Sequence, residues 1–132
     1  MGSVESAVSS SLLADPDALV VTVTGELGLA TVDRVRAAAE PAKSKGLPLV
    51  LDLEGCEFID SMGIDLILRL HRALGEDADE GARMAAVGDH PQVRRIFELT
   101  GIDRRIPIFR SRQAAMEWAG AQPDRRAGDS DA

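Results

Sequence analysis

A chain of 132 residues with 15 Lys plus Arg against 22 Asp plus Glu carries a net charge of −7 and has room for one hydrophobic core with tails. That acidic balance argues against nucleic acid and anionic membranes, which are bound through basic faces, and favours a protein partner of basic or mixed surface. Apolar residues make up 45% but aromatics only 3%, so the core is built from Val, Leu, Ile and Ala, and little aromatic surface is left to stack on a base or a sugar.

Residues 1–7 are small and polar and are expected to form a flexible N-terminus. Val8–Leu13 reads as a short strand despite its three serines, and Asp15-Pro16-Asp17 as a turn, because Pro fixes φ and Asp bonds its neighbouring backbone. Leu19–Thr24 alternates in a β-branched pattern, so the chain is expected to open with a hairpin. Gly25-Glu26-Leu27-Gly28-Leu29 closes that strand, and Thr31 is placed to cap a helix carrying Val32, Val35, Ala38, Ala39 and Ala42. Pro41 predicts an end or a kink of this helix at Glu40. Gly46 and Pro48 lead into Leu49–Leu53, whose near-continuous apolar character is that of a buried central strand.

Ile64, Ile67, Leu68, His71 and Leu74 then recur three and four apart, which predicts a helix starting near Ser61. A serine where a strand-side loop becomes a helix is an N-cap candidate, and its hydroxyl lies in the positive end of the helix field. Gly75–Gly81, with Glu76, Asp77, Asp79 and Glu80, reads as a solvated turn that lacks the spacing of a calcium loop. Ala82–Val87 is a further strand, and Asp89-His90-Pro91 opens a helix that Asp89 or His90 caps. Val93, Ile96 and Phe97 give that helix its buried face, with Leu99 a candidate fourth, and Gly101 suits its stop. Ile106–Phe109 is a last short strand, and Ser111 caps a helix through Ala114, Ala115, Trp118 and Ala119. From Ala121 to Ala132 the composition predicts a disordered tail.

Strands alternating with helices in this order predict one α/β domain over residues 8–120, a mixed, mostly parallel sheet of about five strands packed with about four helices. No apolar run approaches the roughly 20 residues of a membrane span, and Met1-Gly2-Ser3-Val4-Glu5 lacks the order of a signal peptide, so a cytoplasmic protein without membrane insertion is expected. Cys56 is the one cysteine, which excludes an intrachain disulfide, and reads as a small structural residue near a strand end. With only His71 and His90 besides, no metal spacing appears, and neither a metal nor another cofactor is expected.

Enzyme chemistry finds little support. Ile59 stands where the first glycine of a Gly-x-Ser-x-Gly elbow belongs. His71 lies within an apolar helix face, as core histidines do, and His90 stands at a helix start, as caps do. No phosphate-binding or dinucleotide loop follows any strand. At about 100° per residue the helix after Ser61 groups Asp65, Arg69 and Arg72 on one side. Met62 and Leu66 then fall at the edge of its apolar arc, readable either as exposed contact residues or as core periphery.

Four segments carry a family resemblance: Val23-Thr24-Gly25-Glu26-Leu27 with Leu29-Ala30-Thr31, Leu51-Asp52-Leu53, Phe58-Ile59-Asp60-Ser61-Met62-Gly63-Ile64, and Val93-Arg94-Arg95-Ile96-Phe97-Glu98-Leu99-Thr100-Gly101. Each motif alone is weak, but in this order and spacing the chain resembles a STAS domain, and in particular the stand-alone bacterial anti-sigma factor antagonists, from about Leu19 to Trp118. The resemblance implies that Ser61 is the serine phosphorylated by a cognate anti-sigma factor, itself a serine kinase. It implies that the unphosphorylated domain binds that kinase and frees sigma, and that a serine phosphatase restores the active form. The docking face it implies comprises Glu26, Asp60, Ser61, Met62, Gly63, Leu66 and His90. A phosphate there would add about −1.5 to −2 charge at a helix N-terminus, where backbone N–H groups are expected to hold it. Two positions depart from the family pattern: Gly28 stands where Asp is common, and Met62 where Ser or Thr is common. Gly28 motivates a second reading, a STAS scaffold or transport-complex subunit that is not phosphorylated. A third, nucleotide binding, lacks a phosphate loop.

Overall fold

The computed structural model describes residues 5–77 and 81–122. Strand β1 (Ala7–Leu13) pairs antiparallel with β2 (Ala18–Leu27), and the chain then runs through α1 (Val32–Ser44), β3 (Leu49–Asp52), β4 (Cys56–Ile59) and α2 (Ser61–Leu74). The two-residue strands β5 (Glu76–Asp77) and β6 (Gly81–Ala82) pair with each other. After them come β7 (Met84–Val87), α3 (Pro91–Thr100), a 3-10 turn (Ile102–Arg104), β8 (Ile108–Phe109) and α4 (Arg112–Gly120). The main sheet has six strands in the order β1-β2-β3-β7-β8, with β4 paired to the far end of β2, and every pairing except β1 with β2 is parallel. The expected α/β architecture is the observed one.

Because side chains alternate along a strand, β2 and β3 feed two cores. Leu19, Val21 and Val23 of β2 join Leu49 and Leu51 of β3 beneath α1, α2 and α3, which contribute Val35, Ala39, Leu66, Ile67, Val93 and Phe97. Ala18, Val20, Val50 and Val87 point the other way and meet Ala115 and Ala119 of α4. A strand buried on both faces has no polar side to show, which is why Leu49–Asp52 reads as an uninterrupted apolar run. Phe97, Ile67 and Leu51 are essentially inaccessible, and each such side chain contributes on the order of 1.5–3 kcal/mol through burial.

The structure departs from the pattern-based expectations at several points. Helix α1 passes through Pro41 to Ser44. Pro41 falls in the last turn, so it removes one bond while Ala39 and Ala42 keep the helix seated on the core. Strand β2 runs on past Thr24 to Leu27, with a register shift between Gly25 and Glu26 that lets its end pair with β4. Strand β4 has no clean periodicity, because only Cys56 and Ile59 of its four residues are buried. Leu99 is 73% exposed and lies outside the buried face of α3.

The caps at Ser111 and Gly101 form as expected, and His90 rather than Asp89 caps α3, accepting from Gln92 N–H at 3.3 Å. Asp79 and Glu80 of the acidic turn, like the N-terminal residues 1–4 and the tail from residue 123, lie outside the described residues. Among the described residues no helix is long and apolar enough to cross a membrane.

Candidate functional site

Strands β2 and β4 run parallel with Leu27 opposite Ile59, so the loops leaving their C-terminal ends lie side by side. The loop after β2 folds back on itself through Thr31, whose buried hydroxyl accepts from Gly28 N–H and donates to the Glu26 carbonyl, both at 3.0 Å. Thr31 occupies the N-cap position of α1 without capping it by its side chain, because its hydroxyl is engaged in this loop. The loop after β4 is one residue, Asp60. Its extended backbone donates to the Leu27 carbonyl at 3.1 Å and turns directly into α2.

The Asp60 carboxylate joins the two loops. Oδ1 accepts from Met62 N–H at 2.9 Å and Gly63 N–H at 3.0 Å, which caps α2, and Oδ2 accepts from Leu29 N–H at 3.1 Å across the gap. An ionised carboxylate on backbone donors at a helix N-terminus is favoured both as a charge-assisted acceptor and by the helix field.

Two glycines make this approach possible. A Cβ on Gly63 would run into the Leu27 carbonyl oxygen and meet Ile59 Cγ2 at 2.9 Å, so α2 starts closer to the sheet than any side chain there permits. A Cβ on Gly28 would run into the Asp60 carboxylate. The glycine that stands where the family commonly has Asp is thus a steric requirement of the Asp60 position in this chain.

Ser61 is not the N-cap. Asp60 takes that role, since it holds the extended conformation from which a side chain reaches the second and third helical amides. Ser61 is the first helical residue and is exposed, and no hydrogen bond of its hydroxyl is found among the described residues. The Met62 and Gly63 amides at this helix start already serve Asp60.

The other expected site residues divide. Met62 is 44% exposed beside Ser61, whereas Leu66 is 2% exposed and belongs to the core rather than to the edge of the apolar arc. Glu26 is half-buried, opposite Phe58 across β2 and β4. His90 sits on the separate loop after β7, with its side chain engaged in capping α3. His71 is buried in α2, as a core histidine.

Sequence reasoning missed Leu29, 71% exposed, and Phe58, 46% exposed. A large apolar residue within a glycine-flanked turn was the available signal for Leu29. Phe58 gave none until Glu26 and Phe58 were placed opposite each other. Asp65 and Arg69 pair at 2.6 Å on the exposed side of α2. Cys56 is buried, with Sγ 3.2 Å from the Phe58 carbonyl, and burial pushes its thiol above the ordinary range. A cavity of about 610 Å³ opens at the other end of the sheet, between the Asp15–Asp17 turn, Pro48 and α4, and takes in none of these residues.

Comparison with known proteins places this geometry in a family. The family profile described as STAS domain matches residues 10–115, from within β1 to within α4. The anti-sigma F factor antagonist of Paenibacillus polymyxa is 30% identical over 93 residues, which span 69% of this chain and 77% of that relative. The crystal structure of an anti-sigma factor antagonist from Mycobacterium paratuberculosis aligns with a TM-score of 0.70 at 26% identity, over 89% of this chain and 94% of that one. The Bacillus cell fate determinant SpoIIAA in its phosphorylated form shares the fold, with a TM-score of 0.62 at 22% identity over 84% of this chain and 97% of that one. The profile match across nearly all the described elements, with a relative that is largely covered, makes this chain a member of the STAS-domain family.

Proposed function

We propose that this protein is an anti-sigma factor antagonist that binds an anti-sigma factor kinase through the surface around Ser61 and is released when that kinase phosphorylates Ser61. The observation that carries the reading is the state of Ser61. It is exposed at the first position of α2 and relieved of capping duty by Asp60, so its hydroxyl is open to a kinase at no cost to the helix. The names of the family relatives support the antagonist role. The protein acts in the cytoplasm by binding, not catalysis, and a serine phosphatase returns it to the binding form.

The switch follows from charge. A phosphate on Ser61 adds about −1.5 to −2 charge next to Asp60, whose carboxylate already holds the helix amides. The new charge therefore stays at the docking surface rather than being absorbed by the helix. Uncompensated charge buried in an interface costs about 3 kcal/mol or more, which is roughly a 100-fold loss of affinity. The fold need not change, because the Ser61 hydroxyl makes no hydrogen bond among the described residues.

The test is incubation with candidate anti-sigma factor kinases and ATP, followed by binding measurements. Phosphate on the wild type, none on Ser61→Ala, and a loss of affinity on Ser61→Asp are expected. Equal labelling of Ser61→Ala would sink the switch. A constitutive scaffold, the second reading, rested on Gly28. The clash between a Cβ at that residue and Asp60 gives the glycine a different cause, so it is not a mark of a lost switch.

A further inference from the structure

We infer that Gly28 and Asp60 together set the chemistry of the partner patch that fits this surface: an apolar patch, rather than a basic one that an acidic residue beside Ser61 would select. The inference rests on the docking role proposed for the Ser61 surface and goes beyond it by stating what the partner presents there.

A surface carboxylate next to the serine would ask for a lysine or arginine on the partner. This chain has no side chain at Gly28, and the Asp60 carboxylate is turned onto three backbone N–H groups, those of Leu29, Met62 and Gly63. Replacing those donors with a partner's guanidinium would uncap α2 and free the loop, so the charge is engaged internally. The same bond that engages Asp60 fixes the backbone of Leu29, whose side chain stands 71% exposed.

The backbone amides of Leu29 and Met62 thus bond the two oxygens of one carboxylate, and Phe58 lies two residues before it on β4. These three are among the five large hydrophobic residues that are exposed in the described chain; Leu29 and Met62 fall on the two junctions at Ser61, and Phe58 lies on the strand that leads into one of them. Exposed apolar residues gathered at one place mark a contact surface where scattered ones do not. Glu57 is exposed next to Phe58 in sequence and the half-buried Glu26 pairs with Phe58 across β2 and β4; exposed charges of this kind act on encounter rates more than on the lifetime of a complex.

Two measurements test the inference, one of which needs no partner. Titration of the ¹⁵N-labelled protein with isopropanol is expected to move the amides of Leu29, Phe58 and Met62 to saturation, while argininamide leaves them in place. Movement with argininamide and not with isopropanol overturns the inference. With an anti-sigma factor that binds, Leu29→Ala and Met62→Ala are each expected to speed dissociation about tenfold, as central apolar contacts do. Raising NaCl from about 50 to about 500 mM should slow association and leave dissociation unchanged. Salt-dependent dissociation with neutral Leu29→Ala and Met62→Ala also overturns it. Should no anti-sigma factor bind, the functional reading fails, and the solvent titration still decides the chemistry of the surface.

Discussion

The Asp60 carboxylate fills the space that a side chain on Gly28 would need, and from there it bonds the backbone of Leu29 on one loop and of Met62 on the other. One acidic residue therefore caps a helix and ties two strand ends together. The side chain of its neighbour Ser61, the proposed phosphorylation site, has no part in either task.

Gly28→Ala should force the Asp60 side chain to move. The clash is with a flexible side chain, so the fold survives, but the bond to Leu29 and part of the α2 cap are lost. A destabilisation of about 1–2 kcal/mol is expected from urea denaturation, the scale of a lost cap. An unchanged midpoint would mean that Asp60 is not held as described.

Gly63→Ala should be worse. Its added methyl meets the Leu27 carbonyl, which is fixed by the β2–β4 pairing and cannot rotate away. Overpacking against backbone costs about 1–3 kcal/mol or more, so Gly63→Ala is expected to unfold at lower urea than Gly28→Ala. The reverse order in the two midpoints would contradict the close approach of α2 to the sheet.

Asp60→Ala and Ser61→Ala separate the cap from the proposed phosphosite. Removing the Asp60 carboxylate leaves three backbone donors without their acceptor and should cost about 1–2 kcal/mol. Removing an exposed hydroxyl at the first helical position should stay within about 0.5 kcal/mol. Thermal melts of the two variants distinguish this from a serine cap, for which the larger loss would follow Ser61→Ala.

Burial raises the pKa of Cys56, while backbone hydrogen bonding at Phe58 and Leu27 offsets part of the rise. The folded chain therefore keeps this proton to higher pH than the unfolded chain, whose thiol titrates near about 8.5. The associated stability is complete below that pH and is lost as pH rises from there through the folded value. Denaturation of wild type and Cys56→Ala between about pH 8 and pH 10 should show a steeper decline for the wild type. The native thiol should also react slowly with a disulfide reagent near neutral pH.

Much of this fold can be read along the chain. A period-three-to-four pattern locates the helices, alternation locates β2, and an uninterrupted apolar run locates β3, because burial repeats with the geometry of each element and with the number of its faces that are covered. The Asp60-Ser61-Met62-Gly63 junction is legible as a strand-to-helix turn for the same reason, and its likeness to a family pattern brings Ser61 forward. What the chain order leaves open is which polar residue caps the helix and why Gly28 is a glycine. Asp60 and Ser61 are both good caps by residue type, and the choice falls to Asp60 because the end of β4 delivers it in an extended conformation facing two amides of α2. Gly28 lies 32 positions from Asp60 and meets it only because β2 and β4 run parallel and end together. Leu66 and Leu29 depart from the sequence pattern for a related reason: helical phase puts Leu66 near an edge that packing then covers, and no periodicity applies to a four-residue turn whose backbone a distant carboxylate holds. Local pattern fixes where elements form. Contacts between residues far apart in sequence decide which side chains remain for a partner, because only the assembled sheet determines which surfaces are already covered.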